Sequence, residues 1–227
     1  MDIKPLPVKL IRQEPETSDS LRCCALMTLR YFDDKISKEK LWANLHSYKK
    51  HSGLSGTYYS DLGTFALKRK YKVLVSHSDW NWWNQWAQKA SKKGKKAFIK
   101  TLEKLKAETG FTEKKLMQKK VNYVKKGGRY VFDLSGEEKI DSYLLKKLPV
   151  IITVHGKTFN KSPKADPLQA ILIVGKVAGN YIIRDPMRAI GKIPAKELVY
   201  AWHRAGSWMM VIEPSEKKLK TKQNKLF

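Results

Sequence analysis

Two β-branched runs constrain this chain most, Pro149 to His155 and Leu168 to Gly175, joined by a polar loop. Such residues fit a pleated, buried surface, so both runs read as strands, and Tyr181 to Arg184 reads as a third. Asp185-Pro186 then leaves the sheet, Glu197 to Arg204 follows as a helix, and Trp208 to Glu213 supplies a last strand. Upstream the pattern is helical. Ser18 or Asp19 caps a helix running to about Phe32, with Cys23, Leu26, Leu29 and Tyr31 at near-helical spacing. Ser37 caps the next, Lys38 to about Tyr48. Thr57 opens a third, Tyr58 to Lys68, with Leu62, Phe65 and Ala66 on one face. Tyr71 to Val75 and Tyr130 to Leu134 are short strand candidates, and Glu137 to Lys147 is a helix candidate. The expected class is α+β: an N-terminal helical part packed on a C-terminal antiparallel sheet.

Composition matters here for what it excludes. Hydrophobic residues at 42% argue against a disordered chain, and no apolar run approaches the roughly 18 residues that span a bilayer. The start, with Pro5, Pro7 and Pro15, is extended and lacks a signal-like apolar stretch, so the expected address is the cytoplasm. The two cysteines, Cys23 and Cys24, are adjacent, which suits neither a mutual disulfide nor a metal site. No spaced Cys/His cluster and no Gly-rich phosphate loop is present, so neither metal nor cofactor is expected. From Trp80 to Lys126 the chain changes character: four of the seven tryptophans (80, 82, 83 and 86) and 14 lysines stand against three acids. Gly94 and Gly110 divide this stretch into helices, with Phe98, Leu102 and Leu105 as one stripe and Leu116, Val121 and Val124 as another. The expected organisation is one domain over residues 1–214, a helical insertion at about 80–126, and a basic, disordered tail over 215–227.

Several short segments fall in a recognisable order. Gln13 precedes Asp19-Ser20-Leu21-Arg22, which opens the helix ending in Tyr31-Phe32. Then come Gly56-Thr57 with Leu62, Pro149-Val150-Ile151, Gln169 to Gly175, Asp185-Pro186 and Ala201-Trp202. This layout resembles the papain-like family of bacteriocin-processing (double-glycine leader) cysteine peptidases. The resemblance implies a papain-like fold and a site built from four groups. A thiolate is stabilised at a helix N-terminus. A histidine on a facing strand shares its proton, an Asp orients that ring, and a Gln donates to the oxyanion. Here the positions that match the nucleophile and the base carry Ser20 and Gln169, while Gln13 and Asp185 keep the helper types. A hydroxyl needs a base to become a nucleophile, and an amide does not titrate, so the resemblance implies a degenerate member.

Three readings of function follow. The first is a catalytically inactive, peptidase-like protein that holds a peptide or protein partner in the vestigial cleft by strand addition and apolar pockets, with the clustered tryptophans as candidate lining. The second is a hydrolase that uses Ser20, or Cys23 or Cys24, with His155 as a substitute base, because His155 ends the strand ahead of Gln169. The third rests on the charge of +25, 46 Lys and Arg against 21 Asp and Glu. It makes nucleic acid or an anionic surface a partner for the Lys-rich insertion and tail, with weak, sequence-independent, salt-sensitive binding.

Overall fold

A computed structural model describes residues 1–48, 56–78, 82–108, 110–132, 136–162, 168–188 and 191–216. The strands are β1 (Tyr71–His77), β2 (Arg129–Phe132), β3 (Val150–His155), β4 (Leu168–Val177), β5 (Asn180–Arg184), β6 (Lys192–Pro194) and β7 (Met209–Pro214). They form one sheet in the order β2-β1-β7-β3-β4-β5-β6. The α+β, papain-like class is what the sequence led us to expect. Every neighbouring pair is antiparallel except β1 with β2, which run parallel at one edge. A parallel pair cannot be closed by a tight turn and needs a long crossover. The crossover is α4 (Trp82–Lys92), α5 (Lys95–Glu108) and α6 (Phe111–Lys125). The Trp- and Lys-rich stretch is thus the connection that places β2.

Both faces of the sheet are covered, which explains why β3 and β4 read as continuous apolar runs rather than as alternation. Ile151, Ala170, Leu172 and Val174 pack on one side with α1 (Ser20–Tyr31) and α3 (Tyr59–Lys68). Val150, Ile152, Ile171 and Ile173 pack on the other with α7 (Glu137–Leu145) and α9 (Ala195–His203). Helix α1 is apolar nearly all round: every residue from Cys23 to Leu29 is buried, as a helix in the middle of a core must be. Two further helices complete the set, α2 (Lys38–Asn44) and the single turn α8 (Gly156–Phe159).

Local details depart from the sequence reading where side chains found other partners. Ser37 does cap α2, accepting from Lys40 N at 3.2 Å. The residue before α3 is Tyr58, however, and the Thr57 hydroxyl donates to the His46 carbonyl at 3.1 Å. On α6 the buried stripe is Met117, Val121 and Val124, with Leu116 half-buried. Leu134 of the expected second strand, Trp80 and residues 217–227 lie outside the described residues.

Tyr123 fixes the crossover to the sheet. Its ring fills the space that a Cβ would need at Gly63 of α3 and at Gly128. Its hydroxyl lies 3.0 Å from the Val73 carbonyl and accepts from Arg129 N at 3.1 Å, tying α6 to edge strand β2 and to its neighbour β1.

The extended N-terminus forms a strap over β4. Leu6 N donates to Val174 O at 2.8 Å, Ile3 pairs with Lys176, and Gln13 N donates to Pro186 O at 3.0 Å. Gly175 permits this close approach, since a Cβ there would sit 2.7 Å from Pro5 Cα and 3.0 Å from the Ile3 carbonyl oxygen. Gly175→Ala is expected to cost about 1–3 kcal/mol, as overpacking does. Urea denaturation measures this, and an unchanged midpoint would mean that the strap moves aside freely.

Candidate active site

The start of α1 is held by a buried charge cluster. Asp19 precedes the helix but makes no capping hydrogen bond. Its carboxylate instead accepts from Arg22 Nε at 3.0 Å, from the Arg22 guanidinium again through Nη2, and from Trp42 Nε1 at 3.0 Å. Ser20, the first helical residue, turns its side chain toward β4, where Oγ accepts from the Ala170 backbone N–H at 3.1 Å. A lone pair engaged by a donor is less available for attack, so this contact works against activating the hydroxyl.

Gln169, one residue before Ala170, is buried and fully engaged. Its Nε2 donates to Asp185 Oδ1 at 2.6 Å and its Oε1 accepts from Asn160 Nδ2 at 3.2 Å. Asp185 has no exposed surface, and its Oδ1 also accepts from Met187 N at 2.8 Å. Burial raises the Asp185 pKa, opposed by hydrogen bonds from Met187, Arg188 and Gln169. The carboxylate therefore orients the Gln169 amide. Gln13 stands nearby through the Pro186 bond and lines the same cleft as Ser20 and Gln169. One proton of its Nε2 goes to the Thr17 carbonyl at 2.9 Å, and the other is not used by that bond. Residues 13, 20 and 169, distant in sequence, thus converge at one cleft, with Asp185 directly behind Gln169.

The substitute groups are placed elsewhere. His155 pairs across the hairpin with Leu168, not with Gln169, whose partner is Val154. Thr158 holds His155 Nδ1 with its hydroxyl at 2.7 Å and its N–H at 3.4 Å, so His155 caps α8. It does not line the cleft. Cys23 and Cys24 are wholly buried within α1. Desolvation, followed by the Asp19 charge, pushes the Cys23 thiol up to about 12, and burial carries Cys24 well above the usual thiol range. Both stay protonated near neutrality, and neither reaches the cleft. His46 and His203 do not line it either, and His51 lies outside the described residues.

The cleft holds about 500 Å³, within the range of small-ligand sites. Sequence reasoning missed most of its far wall. Trp208 stacks on His77 at 3.9 Å between ring centroids and on Tyr59 at 5.6 Å. Tyr59 is fixed in turn by a 2.8 Å bond between its hydroxyl and Thr153 Oγ1. Tyr130 of β2 and Lys120 of α6 complete this end. Among the described residues, the tryptophan that lines the cleft is Trp208. Trp86 is 61% exposed on α4 and lies outside the lining, and the side chains of Trp82 and Trp83 are outside the described residues. A lone Trp ahead of a strand carries no periodic signal, and Lys120 is one lysine among many. Among the described residues, no group of three His, Cys, Asp or Glu could hold a metal ion, and no helix is long and apolar enough to cross a membrane.

No protein-family model matches this sequence, and no curated protein matches it. Solved structures do match. A crystal structure of a Bacillus anthracis protein described as a C39-like peptidase superposes with a TM-score of 0.57 at 14% identity, covering 95% of this chain and 98% of that one. A double glycine motif protease from an AMS/PCAT transporter, in complex with the leader peptide, gives 0.48 at 15% identity over 95% and 99%. The peptidase domain of Streptococcus ComA, a bi-functional ABC transporter, gives 0.46 at 13% identity over 92% and 99%. The chain has the papain-like fold of a C39-like peptidase.

Proposed function

We propose that this protein is a degenerate relative of the double-glycine leader peptidases that holds a peptide or protein segment in its cleft without cleaving it. One observation carries the reading: among the described residues, the cleft is lined by no Cys, His, Asp or Glu. Peptide-bond hydrolysis by this fold needs a nucleophile and a group able to take its proton. Ser20 accepts a backbone N–H, and Gln169 presents an amide already bonded on both ends. Removing even one such partner ordinarily costs several orders of magnitude in rate. What remains is an apolar, aromatic-walled groove beside the exposed start of β4, suited to an extended chain.

Purified protein incubated with peptides containing Gly-Gly and Gly-Ala junctions is expected to yield no cleavage products by mass spectrometry. Serine-directed fluorophosphonate and thiol-directed iodoacetamide probes are expected to label residues 20, 23 and 24 sluggishly or not at all. Turnover that disappears in Ser20→Ala would overturn the proposal.

A further inference from the structure

The crossover helices meet in a basic tip that the cleft does not use. Helix α4 buries Ala87 and Ala90 and turns Trp86, Lys89 and Lys92 outward. The chain then reverses through Lys93, Gly94, Lys95 and Lys96, all exposed. At the end of α6, Lys125, Lys126 and Gly127 are exposed as well. Lys95 Nζ donates to the Lys125 carbonyl at 3.2 Å, so the two turns meet. A Cβ at Gly94 or at Gly127 would meet no described atom within 4 Å, so both turns stand clear of the body. Among the described residues, Lys125 is the tip lysine with a carboxylate partner, Glu103 Oε1 at 3.1 Å, and Lys106 shares that acid. Trp86 is exposed on the same side, with Lys89 Nζ 5.9 Å from its ring centroid.

We infer that this tip docks on an anionic lipid bilayer, with the lysines over the headgroups and the Trp86 indole at headgroup depth. Clustered lysines are drawn to the negative surface of such a leaflet, and indole rings settle at the membrane–water interface. Lysine suits this partner. Its ammonium is a point charge on a flexible stem that can follow laterally mobile lipids, whereas bidentate phosphate recognition favours arginine. No arginine stands in residues 86–96 or 125–127, and Trp86 is the one aromatic residue there. That ring separates lipid from nucleic acid. Phosphate contacts to a duplex use charge and leave an exposed indole nothing to bury against. A single strand needs successive rings on which to stack its bases.

The test is cosedimentation of the full chain with vesicles of equal parts phosphatidylcholine and phosphatidylglycerol, at about 0.1 M salt, where the Debye length is about 10 Å. One variant carries Lys92→Gln, Lys93→Gln and Lys96→Gln. A control carries Lys157→Gln, Lys192→Gln and Lys196→Gln, exposed positions on α8, β6 and α9. Both lose the same share of the +25 charge. The tip variant is expected to bind about a hundredfold more weakly, roughly fivefold for each lysine. The control should stay within about threefold of wild type, since remote charges are screened. Brominated phosphatidylcholine in the vesicles should quench wild-type tryptophan fluorescence and leave Trp86→Phe largely unquenched. Equal losses in the two triple variants would reduce the effect to diffuse attraction and overturn the inference, as would quenching that persists in Trp86→Phe. Tighter binding to a duplex or single-stranded oligonucleotide than to the vesicles, lost in the tip variant and kept in the control, would assign the tip to nucleic acid instead. Every substituted side chain is exposed, and unchanged thermal midpoints would confirm an intact fold.

Discussion

Ser20→Cys combined with Gln169→His is expected to react with iodoacetamide at residue 20 about tenfold faster at pH 7 than Ser20→Cys alone. A free thiol with a pKa near 8.5 is only a few per cent ionised at pH 7, whereas one beside an imidazolium at a helix N-terminus is largely thiolate. On the proposed reading, Asp185 and Gln13 are the two helper groups of such a site. Asp185 Oδ1 accepts from the side chain at position 169, and Gln13 retains an amide proton beyond its Thr17 bond. An imidazole at 169 would also give the buried Asp185 carboxyl a cationic neighbour, removing part of the desolvation cost that raises its pKa. Fragment mass spectrometry separates residue 20 from Cys23 and Cys24, whose burial predicts silence. Equal rates in the single and double variants would mean that 20 and 169 do not address one another. Cleavage of a Gly-Gly peptide by the double variant would extend the result from reactivity to turnover.

The second large effect concerns acid. His77 is buried between Trp208 and Phe132, and desolvation, with help from the Lys120 charge, lowers its pKa to about 3. An unfolded histidine titrates near 6.5. Between these values the unfolded chain binds a proton that the folded chain refuses, so stability present above about pH 6.5 is lost as the pH falls toward 3. The loss reaches about 2 kcal/mol by pH 5, from 1.36 kcal/mol for each pH unit below 6.5. His77→Phe preserves a ring against Trp208 and removes the titration. The unfolding free energies that urea denaturation gives at pH 7 and pH 5 should therefore differ by about 2 kcal/mol less in the variant than in the wild type. Identical slopes in the two proteins would exclude His77 as the source.

Much of the site was legible because it depends on short, ordered segments. Gln13, Ser20, Gln169 and Asp185 were each visible by residue type and order, and the structure brings the first three to one cleft with the fourth behind. The central strands were legible for a related reason, since residues buried on both faces leave an unbroken apolar run. What escaped was set by distant parts of the chain. The place of His155 at a strand end suggests a substitute base, but Thr158, three residues on, holds its ring and the chain turns into a short helix there. Thr57 resembled a cap until the His46 carbonyl took its hydroxyl. Trp208, Tyr130 and Lys120 join the cleft only because β7 and β2 flank β1 and because α6 lies over α3. Such three-way meetings leave no mark on any local window of sequence.

The parallel pairing of edge strand β2 with β1 has a practical corollary for anyone dissecting this molecule. An obligatory tether that also lines the cleft cannot be excised as a module. Truncating residues 82–125 would unmoor the sheet margin and empty the groove between Gly63 and Gly128 that Tyr123 occupies in one cut, so the resulting phenotype could not be parsed. Single side-chain edits at the mouth of the groove are the instruments that leave the architecture intact.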